Sequence, residues 1–136
     1  MSRSHSLHTL HALLDQNLGR APEYRGTFSN HLPMALQALH ALGADDARLR
    51  DYAAGYIQRR QLMPAAGADA APLADWPAER GRIESFAALR VSFTEQLRCG
   101  GLDATLRAAL PLLWPGVVGA ALHGVIRTAH AVQSAH

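Results

Sequence analysis

Ser29-Asn30-His31-Leu32-Pro33-Met34-Ala35-Leu36-Gln37-Ala38-Leu39-His40-Ala41-Leu42-Gly43 is the stretch that decides the fold. It opens on residues that cap helices, places Pro33 in the first turn, where a missing N–H is harmless and a preset φ helps, and stops at Gly43. Between these signals Leu32, Leu36 and Leu39 share one side, while Met34, Ala35, Ala38 and Ala41 fill most of the remainder. A helix that is apolar nearly all round must be largely buried, so the flanking chain is expected to cover it.

Working outward, the same periodicity recurs. Leu7, Leu10, Leu14 and Leu18, spaced by three and four, predict a helix over 6–17 that Gly19 stops. A non-helical stretch over 20–28 follows, punctuated by Pro22 and Gly26, with Tyr24 and Phe28 as anchors. Beyond Gly43, Asp45 or Asp46 caps a third helix, whose Leu49, Tyr52, Ala53, Tyr56 and Ile57 oppose Arg48, Arg50, Asp51, Arg59 and Arg60. Residues 64–81, rich in Ala, Pro, Gly and Asp, lack periodicity and read as a surface loop. A fourth helix over 83–98 turns Phe86, Leu89, Phe93 and Leu97 inward and breaks at Gly100-Gly101. A shorter helix from Leu102 is interrupted at Pro111, and a last one over 117–135 carries Val118, Ala121, Leu122, Val125, Ala129 and Val132 on one face. The opposite face of that last helix holds Gly119, Ala120, His123, Gly124, Arg127 and His130. No segment alternates with period two, so the expected fold class is all-α: a helical bundle of five to six helices in one domain over 1–136.

Composition narrows the function. All thirteen basic side chains are arginine, so chemistry that needs a lysine nucleophile or a P-loop lysine is excluded within the chain. The formal net charge is only +2 and the arginines are dispersed, which argues against nucleic acid as a partner. No run approaches the ~18 apolar residues of a membrane span. Cys99 is the lone cysteine and the first sixteen residues carry three histidines instead of an apolar signal core, so a cytoplasmic location is expected. No GxGxxG after a strand, GxSxG elbow or HExxH motif is present.

Eight histidines remain as the main chemical resource. His5, His8 and His11 lie near the N-terminus and His40 near a helix end, all read as surface or interface residues, and the last residue, His136, has no context. His31 and His123 differ. His31 starts an otherwise apolar helix, where the helix dipole favours a neutral imidazole able to act as ligand or electrophile. His123 sits between Leu122 and Gly124, where an imidazole needs a hydrogen-bond partner or a metal. Arg127 and His130 continue the face of His123 at four and seven residues. Arg127 can fork onto Glu84, Glu95 or Asp103, or onto an anionic or phenolate substrate.

Two stretches carry a family resemblance. Residues 28–36, Phe-Ser-Asn-His-Leu-Pro-Met-Ala-Leu, continuing through Leu42-Gly43-Ala44, resemble one signature of the questin oxidase-like proteins. Residues 115–132, a Pro-Gly turn leading into a helix with His123-Gly124 and Arg127, resemble a second. The resemblance implies an all-helical oxidoreductase that oxidises or opens the ring of aromatic polyketide-like substrates with molecular oxygen, in a Baeyer–Villiger-like or non-haem iron reaction. It implies NADPH or non-haem iron as cofactor, His31 and His123 as the metal ligands, and Arg127 and His130 as the catalytic side chains. It covers nearly all of the chain but only the first half of the family's pattern. A homo-oligomer or a C-terminal half is therefore expected to complete the site around a hydrophobic aromatic small molecule. The alternative is a non-catalytic helical module that self-associates or binds a hydrophobic ligand.

Overall fold

Five α-helices and one minimal strand pair make up the regular structure among the described residues, which in the computed structural model are 3–26, 28–67 and 69–134. In chain order these are α1 (Arg3–Leu18), β1 (Glu23–Tyr24), β2 (Phe28–Ser29), α2 (Leu32–Ala41), α3 (Asp46–Arg60), α4 (Phe86–Leu113) and α5 (His123–Ser134). Short 3-10 turns lie at Trp76–Glu79, Ile83–Ser85, Trp114–Gly116 and Gly119–Leu122. The fold is all-α, as the sequence predicts. No described helix is long and apolar enough to cross a membrane. The contacts group the chain into two compact units, one of Met1–Pro64 with Ala120–His136 and one of Ala65–Gly119.

The first unit is built around α2. Its Leu32 and Leu36 pack with Leu10 of α1, Leu49, Ala53 and Tyr56 of α3, and Leu62. Fully burying leucines of this kind stabilises by about 1.5–3 kcal/mol each, which makes α2 the organising element. Asp45 caps α3 by accepting from the Arg48 N–H at 2.9 Å, as expected from the sequence. The leucine stripe of α1 is partly displaced. Leu10 is buried, but Leu7 and Leu18 are exposed, and Ser6, Thr9 and Asn17 turn inward in their place. Polar partners account for two of these: Thr9 Oγ1 accepts from Arg50 and Asn17 Oδ1 from Asn30, each at 3.0 Å. Extended pairing is limited among the described residues to β1–β2, with Glu23 opposite Ser29 and Tyr24 opposite Phe28, and a single antiparallel bridge between Arg20 and Pro64.

In the second unit the described residues between 69 and 81 make fixed contacts with α4. Trp76 is buried against Phe93 at a ring separation of 4.8 Å, and Ser92 Oγ accepts from the Leu73 N–H at 2.7 Å. The break at Gly101 occurs as expected: φ 75° and ψ 176° form a conformation open essentially to glycine alone, and α4 is kinked there. Pro111, by contrast, does not interrupt α4, which continues to Leu113. One of its terminal carbonyls, that of Leu112, accepts from the Arg80 guanidinium. The final helix begins six residues later than the periodicity suggests, because Leu122 adopts a positive φ of 66° that no α-helix accommodates.

Candidate functional site: a histidine pair on the α2–α5 seam

The stretch that opens α2 is a device for presenting one imidazole. Asn30, 1% exposed, donates from Nδ2 to Asn17 Oδ1 at 3.0 Å and to the Ala21 carbonyl at 3.3 Å. Its Oδ1 accepts from the Leu32 N–H at 3.0 Å, so the side chain that satisfies the first turn is that of Asn30, one residue before the N-cap position His31. The backbone is thus pinned on both sides of His31. The His31 N–H donates to the Tyr56 hydroxyl at 3.1 Å, which ties the site to α3. Burial, followed by the neighbouring Tyr24, holds the Tyr56 phenol above its ordinary value, although its contact with the His31 backbone works the other way.

His31 then points at His123, 92 positions later in the chain. Their Nε2 atoms are 2.5 Å apart, closer than the ~2.9–3.0 Å of an ordinary N–H hydrogen bond. The ring planes meet at 82° with centroids 4.5 Å apart, so the nitrogens face each other and the rings do not stack. On its other side, His31 Nδ1 lies 2.6 Å from the Ser29 carbonyl, which can only accept. Nδ1 therefore carries a proton, and in the neutral ring Nε2 carries the lone pair. Facing lone pairs would repel, so in the neutral pair His123 Nε2–H is the donor. The sequence reading brings these two histidines together only through resemblance; the structure places them in contact.

The rest of α5 follows the same face. Gln37, one of only two polar side chains on α2, donates from Nε2 to the His130 carbonyl at 3.0 Å and so docks the far end of α5. His123, Arg127 and His130 are half-buried, while Val125 and Ile126 are exposed, so α5 turns its polar stripe inward. Among the described residues of its unit Arg127 has no carboxylate partner, and burial lowers its guanidinium from the ordinary value. His5 lies 3.7 Å from Asp46, and His8 and His11 are exposed, as expected for surface histidines. His136 lies outside the described residues.

The donor set decides whether the pair fits a metal. The Ser29 carbonyl on His31 Nδ1 is the kind of contact that orients a metal-bound imidazole. Yet bonds of ~2.0–2.1 Å in tetrahedral geometry set two ligand nitrogens about 3.3 Å apart, wider than the 2.5 Å observed. No group of three metal-binding side chains occurs among the described residues. The pair as it stands does not fit a metal.

Sequence reasoning overlooked Ser29, Gln37 and Tyr56. The signal for Gln37 was present, since a glutamine on an apolar helix requires a partner; the contacts of Ser29 and Tyr56 depend on tertiary placement and left no periodic trace. Comparison with known proteins found no match among curated proteins and none among solved structures. The family model described as questin oxidase-like matches residues 28–135, a range that holds α2, α5 and all four of His31, His123, Arg127 and His130. The chain belongs to the questin oxidase-like family.

Proposed function

We propose that this chain is an oxidoreductase that takes part in the oxygen-dependent oxidation or ring opening of an aromatic, polyketide-like substrate, and that the His31–His123 pair is its proton-transfer element. The observation that carries the reading is the 2.5 Å contact between two imidazole nitrogens supplied by helices distant in sequence. A structural histidine needs only one partner; here a carbonyl fixes the tautomer of the first ring and the first ring fixes the second. Such a relay delivers a lone pair of defined direction to a phenolic or enolic O–H, and positioned bases of this kind contribute about 10²–10⁴-fold to rate. Arg127, one turn from His123, faces the same seam and supports the charge that develops when the proton leaves.

The test is oxygen consumption and product mass with hydroxylated anthraquinones, with and without NADPH. Turnover that falls at least a hundredfold in His123→Ala and in His31→Gln supports the reading. Turnover that persists in both overturns the assignment of the pair. A second reading, an interaction module, is favoured by the exposed run of Leu110, Leu112, Leu113, Trp114 and Val118 in the second unit. It expects concentration-dependent association in sedimentation and no turnover.

A further inference from the structure

Arg127 is the least explained charge in the first unit. It is half-buried on the polar stripe of α5, yet among the described residues of that unit it forms no ion pair, and burying an uncompensated guanidinium is costly. Burial lowers the guanidinium from its ordinary value, and a long side chain of this kind covers its stem more readily than its charged head. A planar fork of donors in that position matches two oxygens of one anion. His123 lies on the same face one turn earlier, and Gln37 holds α5 in place beside α2.

We infer that Arg127, beside the His31–His123 pair, is the receptor for an organic oxyanion, a carboxylate or phenolate group of the ligand. The inference rests on the proposed role of the pair and extends it to the ligand class. A phenolic O–H gives its proton to the pair at His123, the O–H bonding electrons stay on oxygen, and the resulting oxyanion lies against the guanidinium; no electron changes hands. A ligand that arrives already ionised occupies the same fork.

The experiment uses the full chain and two probes of equal shape, benzoate and benzamide, titrated calorimetrically at constant ionic strength set by sodium chloride. Benzoate is expected to bind about ten- to a hundredfold more tightly than benzamide, the margin of a charge-assisted hydrogen bond. Arg127→Gln is expected to abolish that preference, and Arg127→Lys to keep a reduced one, since it retains the charge but loses the fork. Tyrosine near-ultraviolet circular dichroism verifies that each variant keeps its first unit folded. Equal binding of the two probes, no binding of either, or a preference that survives in Arg127→Gln overturns the inference. His123→Ala separates the two claims. Turnover that persists in His123→Ala refutes the proton relay without touching the benzoate preference, and loss of the preference in Arg127→Gln is read without any turnover.

Discussion

Replacing Asn30 by alanine removes a residue that caps α2, anchors the turn before it and fixes the backbone from which His31 projects. The cap, an acceptor for the Leu32 N–H at 3.0 Å, is worth about 1 kcal/mol. Truncation also leaves the buried Asn17 carboxamide oxygen without the donor it meets at 3.0 Å, at a cost of about 1–3 kcal/mol. The expected loss is therefore about 2–4 kcal/mol, confined to the first unit. The composition supplies a way to see that confinement. Tyr24, Tyr52 and Tyr56 all lie in the first unit and Trp76 and Trp114 in the second, so urea unfolding followed by tyrosine near-ultraviolet circular dichroism and by tryptophan fluorescence reports on each in turn. The tyrosine transition should move to lower urea and the tryptophan transition should stay. A loss below about 1 kcal/mol would show that Asn30 is not holding the α2 entry, and the account of how His31 is presented would fail with it.

Arg127→Met should raise the stability of the first unit by about 1 kcal/mol, because it exchanges an unpaired, half-buried charge for an apolar chain of similar reach; lower stability in the same urea assay would mean that the arginine has a partner. Tyr56 titrates higher in the folded protein than in the unfolded chain. Above about pH 10 the unfolded state loses that proton first, so the stability this group contributes is complete below that pH and drains away as pH rises through the folded value. Tyr56→Phe should flatten this alkaline decline, and an unchanged slope would contradict the burial argument. Gly101→Ala forces a side chain into a conformation essentially reserved for glycine and should cost the second unit about 1–3 kcal/mol, read by tryptophan fluorescence with the tyrosine signal unmoved. In ¹⁵N-labelled protein, a scalar coupling across the hydrogen bond should link His31 Nε2 to His123 Nε2, and its absence would mean that the contact does not form in solution.

Much of the architecture is legible because it rests on local signals. The cap and Pro33 mark the start of α2, Gly43 marks its end, and Asp45 marks α3, each through backbone chemistry confined to a few residues. Boundaries failed where a local rule met a tertiary one. Pro111 sits inside α4, where its ring does not end the helix, and Leu122 breaks the last helix at a position where nothing in its residue type predicts a positive φ. Face assignments were least legible. On α1, hydrogen bonds to Arg50 and Asn30 draw Thr9 and Asn17 inward while Leu7 and Leu18 are exposed, and on α5 the polar stripe packs inward although hydrophobicity favours the other side. Such inversions arise when polar groups find partners on another element, which one chain read in isolation does not display. Of the candidate site, the residue identities were available from resemblance, but the relay from Ser29 through His31 to His123 required coordinates.

The first unit is interrupted in sequence: α5 returns to it only after the whole of Ala65–Gly119 has intervened. During synthesis the groove of α2 that receives α5 is therefore complete before its occupant emerges from the ribosome, and α5 docks as an intramolecular ligand at an effective concentration set by the intervening unit. Exchange of α5 between copies, if it occurred, would assemble a histidine pair from two chains. Mixing His31→Gln and His123→Ala proteins would then restore one intact pair per exchanged dimer, a complementation that neither variant shows alone.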